Sequence, residues 1–418
     1  MQAVLDAILK RFITTGRLRV SWPDGSQSSY AGIEPGPEAA LKIADRGTIL
    51  QLIANPALKV GEAYMEGSLV PEGCSIYEIL DVLCLNENAN LGAHPAVAPI
   101  YAVQKLTRRL RQRNASGRAQ RNAAHHYDLN GRLYSLFLDR DRQYSCAYFP
   151  GGDETIEEAQ AAKKHHIAAK PWLNQPGLRV LDIGCGWGGL ALTLAREYGA
   201  VVTGITLAAE QLAEARARAQ TEGLSDRVTF QLQDYRTINR PFDRIVSVGM
   251  FEHVGLGYYG KFFDVVARCL KRDGVALLHT IGRIHGPGST NAWIAKYIFP
   301  GGYVPALSEV VPVVEQSGLI TTDIEVLRLH YAMTLRQWRR RFAANRDAIA
   351  AVYDERFCRM FEFYLAGAEL AFRQAGQVVF QIQLAHDIAA VPLTRDYVTE
   401  TERKMGRPTT AAPAQRSA

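Results

Sequence analysis

Several patterns are missing from this sequence, and each absence narrows what it can be. The six cysteines, Cys74, Cys84, Cys146, Cys185, Cys269 and Cys358, never stand at CxxC spacing or beside a His-x-x-x-His. That argues against a zinc site, and scattered single thiols fit a reducing compartment. No uncharged apolar run approaches the roughly 20 residues of a spanning helix. Asp6 and Lys10 interrupt the apolar N-terminal stretch and no small-residue cleavage site follows, so no signal peptide is read there. The expected location is cytoplasmic, with membranes touched only from outside, at their inner face. Acidic residues are absent between Lys105 and Arg121, a stretch holding Lys105, Arg108, Arg109, Arg111, Arg113, Arg118 and Arg121. Charge patterning alone makes it a solvated cationic linker. An anionic membrane surface is the functional alternative, whereas nucleic acid lacks support from interleaved aromatics or zinc-finger spacing.

What is present is an ordinary globular composition, 47% hydrophobic and 22% charged, in 418 residues with a net charge of +6. That length predicts two domains with a full core, and the mild basicity suggests acidic surfaces or substrates without choosing among them. Residues 1–104 read as a small mixed α/β domain. Val4, Leu5, Ile8, Leu9, Phe12 and Ile13 recur at helical spacing. Arg17 to Val20 alternates into Ser21, and the turn Pro23-Asp24-Gly25 then starts a hairpin. Gly61 to Gly67 is bounded by glycines and precedes a helix with Ile76, Ile79, Leu80 and Leu83 on one face. A basic linker is expected over 105–124, a catalytic domain over 125–400 and a disordered tail over 401–418.

From about residue 177 strand and helix alternate. Arg179 to Ile183, Val201 to Thr206, Val228 to Leu232, Arg244 to Met250 and Val275 to Ile281 read as strands. Gly188 to Tyr198, Ala208 to Glu222 and Tyr259 to Leu270 read as helices. That order predicts an α/β fold with a parallel, doubly wound, Rossmann-like sheet.

The first of these strands runs into Gly184-Cys185-Gly186-Trp187-Gly188-Gly189, a loop that lets a ligand approach the backbone at a helix N-terminus. A dinucleotide reading needs an acidic residue about 20 positions on, at the end of the second strand. Here Gly204-Ile205-Thr206 stands there, and the next carboxylate is Glu210. Asp182 before the loop, and Gln233-Asp234-Tyr235 after the third strand, favour S-adenosylmethionine instead.

At these residues the sequence resembles the cyclopropane fatty acid synthase family, which includes the mycolic acid cyclopropane synthases. The likeness runs through Tyr144-Ser145-Cys146-Ala147-Tyr148-Phe149, Val180 to Gly189 and Thr203 to Leu207 with Gln211. It continues through Gly249 to Gly255, Leu278 to Gly282, Lys296 to Gly302, His330-Tyr331 and Phe380 to Leu384. It covers most of 125–390 in order. The resemblance implies a class I S-adenosylmethionine methyltransferase that adds a methylene group across the cis double bond of unsaturated phospholipid acyl chains. It places Tyr144, Ser145, Asp182, Gly184, Gly186, Gly188, Thr206, Gln211, Gln233, Asp234 and Tyr235 at the cofactor, Thr206 and Gln211 standing where other methyltransferases carry the ribose-binding acid. It also implies a bound hydrogencarbonate ion as base, cradled by Cys146, Glu252, His279, Tyr331 and the backbone of Ile281. A homodimer through the N-terminal domain is a further expectation from the likeness. Relatives that leave a methyl branch, or that bind lipid without turnover, are the alternatives.

Taken without that likeness, His279 in an apolar strand reads as a core histidine, Cys146 as a small hydrophobe and Tyr331 as core. Glu252 follows the fourth strand at the edge where sites form. Among the aromatics, Phe357, Phe361 and Tyr364 keep helical spacing and predict core, as part of a group with Phe363 and Phe372. Trp293, Tyr297, Phe299 and Tyr303 are interrupted by Pro300-Gly301-Gly302 and predict a loop closing an acyl channel.

Overall fold

A computed structural model describes residues 1–90 and 131–405; the basic stretch Lys105 to Arg121 and residues 406–418 lie outside the described residues. The N-terminal part forms a four-stranded sheet from β1 (Thr15–Ser21), β2 (Gln27–Ala31), β3 (Glu34–Ile43) and β4 (Leu69–Pro71), in the order β2-β1-β3-β4. In β1, Leu18 and Val20 are buried between exposed Arg17 and Arg19, so period-two alternation sets the inward face. The expected hairpin turn forms at Pro23-Asp24-Gly25, where Gly25 takes φ +85° and Asp24 accepts from the Ser26 N–H at 2.9 Å. Ile76, Ile79 and Leu80 of the helix Ile76–Asn90 cover this sheet, as their shared face predicted.

The larger sheet has seven strands: β5 (Arg179–Ile183), β6 (Val201–Thr206), β7 (Val228–Leu232), β8 (Phe242–Val248), β9 (Leu270–Arg283), β10 (Ile320–Leu327) and β11 (Gln377–Ala385). Their order is β10-β11-β9-β8-β5-β6-β7. β5 to β9 run parallel, as expected from the alternation; β11 pairs antiparallel with β9 and β10 antiparallel with β11, so β11 alone runs against the other six. This edge departs from the all-parallel expectation. β10 is half-buried along most of its length and carries no alternation to read, while β11 is buried on both faces. The order reverses at β5, whose neighbours are β6 and β8, so the crevice beyond the carboxyl end of β5 is where a ligand is expected in an open sheet.

Two sequence expectations are corrected. The helix Asp396–Met405 runs into the expected tail because Glu402 reaches His166 at 2.6 Å and the Tyr397 hydroxyl donates to the Lys170 carbonyl at 3.1 Å. Trp293 and Tyr303 are core residues, each 1% exposed, and leave only Tyr297 and Phe299 of that aromatic group partly buried. The second aromatic group packs as predicted, with Phe361, Tyr364 and Phe372 buried.

Trp293 is buried because the N-terminal part docks onto it. Its indole N–H points at the Met65 sulfur at 3.3 Å. Glu62 on the helix Pro56–Met65 accepts from Lys296 at 2.6 Å and from the Tyr297 hydroxyl at 2.9 Å. Burial opposes ionisation of Glu62, yet the hydrogen bonds from Lys296, Lys59 and Tyr297 prevail and hold its pKa down to about 2. Close approach requires Gly61, where a Cβ would stand 2.5 Å from the Trp293 Nε1 and 2.9 Å from Phe363. Gly61→Leu should therefore destabilise the protein by about 1–3 kcal/mol through overpacking. The check is the urea midpoint, and an unchanged midpoint would show that this contact does not hold the two parts together.

Candidate active site

β5 ends at Ile183, and the chain turns into the helix Gly189–Tyr198 through three left-handed glycines, Gly184 (φ +88°), Gly186 (φ +54°) and Gly188 (φ +84°). The N–H groups of Gly184 and Cys185 both donate to the Ile205 carbonyl, at 2.9 and 3.0 Å, which pins the loop to β6. A Cβ on Gly186 would meet nothing within 4 Å, so this turn lies open to the cleft. Gly188 differs. A Cβ there would strike Phe230 at 2.6 Å, so this glycine serves packing and does not border the cleft.

Of the residues expected at the cofactor, Tyr144, Ser145, Asp182, Gly184, Gly186, Thr206, Gln211, Gln233 and Tyr235 border one cleft. Asp234 does not: its carboxylate is taken by the Arg236 side chain at 2.8 and 2.7 Å and by the Arg236 N–H at 3.0 Å. Arg236 itself borders the cleft instead. Thr206 donates to Gln211 Oε1 at 3.1 Å, so the Gln211 amide offers its donor side to a ligand. Asp182 is 2% exposed and its Oδ2 has no protein partner. Burial pushes its pKa up to about 7, with Lys163 opposing.

The five residues expected at the catalytic ion do not border this cleft, though Cys146 and Glu252 adjoin Ser145 and His253, which do. Glu252 sits in the short turn Phe251–His253 that follows β8. Its Oε1 accepts from the Ile281 N–H at 2.6 Å, whereas Oε2 is buried without a partner. The Ile281 N–H is thus directed at Glu252. Burial pushes the Glu252 carboxyl up to about 7, against the pull of that N–H. His279 on β9 is 1% exposed, and burial keeps its ring neutral. Gln381 Nε2 lies 3.1 Å from His279 Nδ1, which leaves the ring proton on Nε2, an atom buried without a partner. Cys146 Sγ lies 3.3 Å from the Ala147 carbonyl, and burial raises its thiol well above the ordinary range. The Tyr331 ring packs on Phe372 at 4.7 Å. Glu252 and Ile281 are therefore directly joined, with His279 two residues away on the same strand face.

Sequence reasoning gave no role to Lys163, Gln143 or His253. Gln143 and His253 border the cleft, and burial holds His253 down to about 4. Lys163 donates to Gln143 Oε1 at 2.5 Å and to Ser145 Oγ at 2.9 Å. Its signal lay in spacing: Ile156, Ala159, Lys163 and Ile167 share the buried face of the helix Ile156–Ala169.

The arrangement puts a glycine-cradled cleft with an unpartnered acid beside a buried carboxyl–imidazole pair. A model of the mycolic acid cyclopropane synthetase family matches residues 114–382, and a domain of unknown function matches residues 4–94. The cyclopropane-fatty-acyl-phospholipid synthase of Escherichia coli K12 is 48% identical over 259 residues, 61% of this chain and 66% of that one. A probable fatty acid methyltransferase of Pseudomonas putida is 37% identical over 373 residues, 87% of this chain and 91% of that one. The solved cyclopropane synthase MmaA2 of Mycobacterium tuberculosis superposes with a TM-score of 0.61 at 34% identity, covering 64% of this chain and 98% of that one.

Asp182 and Glu252 link the site to stability. Both have folded pKa values near 7, above their ordinary values of 3.8 and 4.5. Folding therefore takes up protons, and their contribution is fully present below those ordinary values and lost as pH rises through about 7. The Tm advantage of the Asp182→Asn/Glu252→Gln double variant over wild type should be small at about pH 4 and grow steadily up to about pH 8. A Tm difference that does not grow with pH would contradict the assignment.

Proposed function

The chain belongs to the mycolic acid cyclopropane synthetase family of methyltransferases, and on that premise we propose that it forms cyclopropane fatty acids in membrane phospholipids. The reaction adds a methylene group across the cis double bond of an unsaturated acyl chain. The observation that carries this reading is the pair of buried, unpartnered atoms Glu252 Oε2 and His279 Nε2 next to the glycine-cradled cleft. A methyltransferase whose reaction needed no base would gain nothing from them.

S-adenosylmethionine, when bound, supplies the electrophilic methyl carbon. Asp182, Gly184, Gly186, Thr206, Gln211, Gln233 and Tyr235 would hold it; the open turn at Gly186 and the orphaned Asp182 Oδ2 fit such a ligand. An alkene is a poor nucleophile, so the protein must align it and exclude water. Tyr144 does part of this work, stacked on Trp338 at 5.2 Å and hydroxyl to hydroxyl with Tyr364 at 3.0 Å. Phe299 faces Tyr364 at 5.8 Å and His253 at 6.0 Å, adding ring faces that can steady positive charge on the acyl chain.

Ring closure then requires loss of a proton from the new methyl group. A hydrogencarbonate ion, held by Cys146, Glu252, His279 and Tyr331, would supply the base. The neutral His279 presents an Nε2–H to an anion, and Glu252, poised near neutrality, can take a proton on Oε2. The Ile281 N–H fixes the other Glu252 oxygen and so aims the carboxyl.

One observation favours a second reading: the relative aligned along 87% of the chain carries the name of a probable fatty acid methyltransferase. Product mass together with mild hydrogenation separates the two. Incubation of the purified chain with S-adenosylmethionine and vesicles of unsaturated phospholipid should add CH2 to the acyl chain, and the product should resist mild hydrogenation. A product that gains CH2 but then takes up two hydrogens would be a methylated alkene, the precursor of a methyl branch that a separate reductase would have to complete. Glu252→Gln should lower turnover by at least about a hundredfold, the general acid–base range, while leaving S-adenosylhomocysteine affinity nearly unchanged. A variant that keeps most of its activity would remove Glu252 from the mechanism.

A further inference from the structure

Lys163 takes no part in the chemistry above, yet it is a cation sealed inside the protein, its residue 1% exposed. Burial lowers its pKa to about 8, so the ammonium persists at neutral pH. The nearby acids are engaged elsewhere. Asp141 pairs with Lys164 at 2.6 Å and with Arg218, and it accepts from Gln143 Nε2 at 3.1 Å. Asp139 accepts the N–H groups of Asp141 and Gln143 at 3.0 and 2.8 Å. The hydrogen bonds of Lys163 run to two neutral oxygens of the cleft wall, Gln143 Oε1 and Ser145 Oγ.

That contact has a directional consequence. An ammonium only donates, so the Ser145 hydroxyl accepts from Lys163 and cannot return its own hydrogen along the same line. The Ser145 carbonyl is already occupied by Gln160 Nε2 at 3.0 Å. Ser145 borders the cleft, so its hydroxyl is left to donate there with a positive charge behind it. Asp182, whose pKa also feels the Lys163 charge, offers an unpartnered acceptor oxygen to the same cleft. A donor backed by a cation and a bare carboxyl oxygen complement the two charged groups of an α-amino acid.

We propose that Lys163 is a positioning residue that fixes the Ser145 hydroxyl as donor to the α-carboxylate of the cofactor's amino-acid end, with Asp182 receiving the α-ammonium. This inference rests on the reading of the cleft as the S-adenosylmethionine site.

The test compares two ligands by titration calorimetry on the full chain: S-adenosylhomocysteine, and methylthioadenosine, which keeps the nucleoside and thioether but lacks the amino-acid end. Lys163→Met should weaken S-adenosylhomocysteine about tenfold or more, the range for a lost hydrogen bond to a charged group, and leave methylthioadenosine unchanged. Ser145→Ala, which retains the buried lysine, should show the same split, and the double variant should lose little beyond either single one. Equal loss for both ligands would mean a structural role and overturn the proposal. So would unchanged S-adenosylhomocysteine affinity in Ser145→Ala, or an effect confined to hydrogencarbonate activation of turnover. If the wild-type chain failed to bind S-adenosylhomocysteine at all, the cofactor reading itself would fall first.

Discussion

A charge inside a protein costs several kcal/mol unless a partner offsets it, and this fold keeps ionisable side chains inside beside the carboxyl edge of its main sheet. Asp182, Glu252, His279 and Lys163 are all buried, none more than 8% exposed. Their offsets are partial. Glu252 has one N–H, His279 one amide, Lys163 two neutral oxygens, and Asp182 keeps an oxygen with none. Such a site shields its ionisable groups from solvent, and its acids rest near neutrality. The cost is a region held in place by everything around it.

Much of the remaining structure serves that restraint. The segment after Asp139 is fastened where Asp141 meets Lys164 and Arg218, which ties the Gln143–Ser145 wall to two helices. On the other side His166 bridges Glu325 and Glu402 at 2.8 and 2.6 Å, and Tyr148 stacks on its ring at 4.1 Å. That cluster binds the helix Asp396–Met405 to the helix carrying Lys163. The N-terminal part contributes through the Glu62 pairs and the tight Gly61–Trp293 approach, next to the turn that carries Phe299.

The parallel half of the sheet was legible because strands buried on both faces read as short apolar runs separated by helical ones. The glycine loop was equally plain, since three positive φ values leave glycine as the residue of choice. Less could be read where partners are distant in sequence. Asp234 looks like a ligand residue until Arg236 is seen folded onto it, and Trp293 looks like a channel residue until Met65 is brought against it. The half-buried β10 has no alternation, and the final helix depends on His166, over two hundred positions away. Lys163 was visible only as a charge on an apolar helix face, a pattern whose meaning depends on what the facing loop supplies.

Buried Asp182 holds a proton near neutral pH, and pairing with a ligand's ammonium group should displace it. This displacement is tested most directly by calorimetric titration of S-adenosylhomocysteine in buffers of differing ionisation enthalpy. Near pH 6 a carboxyl with a pKa of about 7 is mostly protonated, and an incoming ammonium stabilises its charged form. Binding should therefore release a substantial fraction of one proton, and Asp182→Asn should abolish that release. Binding without proton release by the wild-type chain would show that Asp182 does not become charged when the ligand arrives, and would contradict its pairing with the α-ammonium.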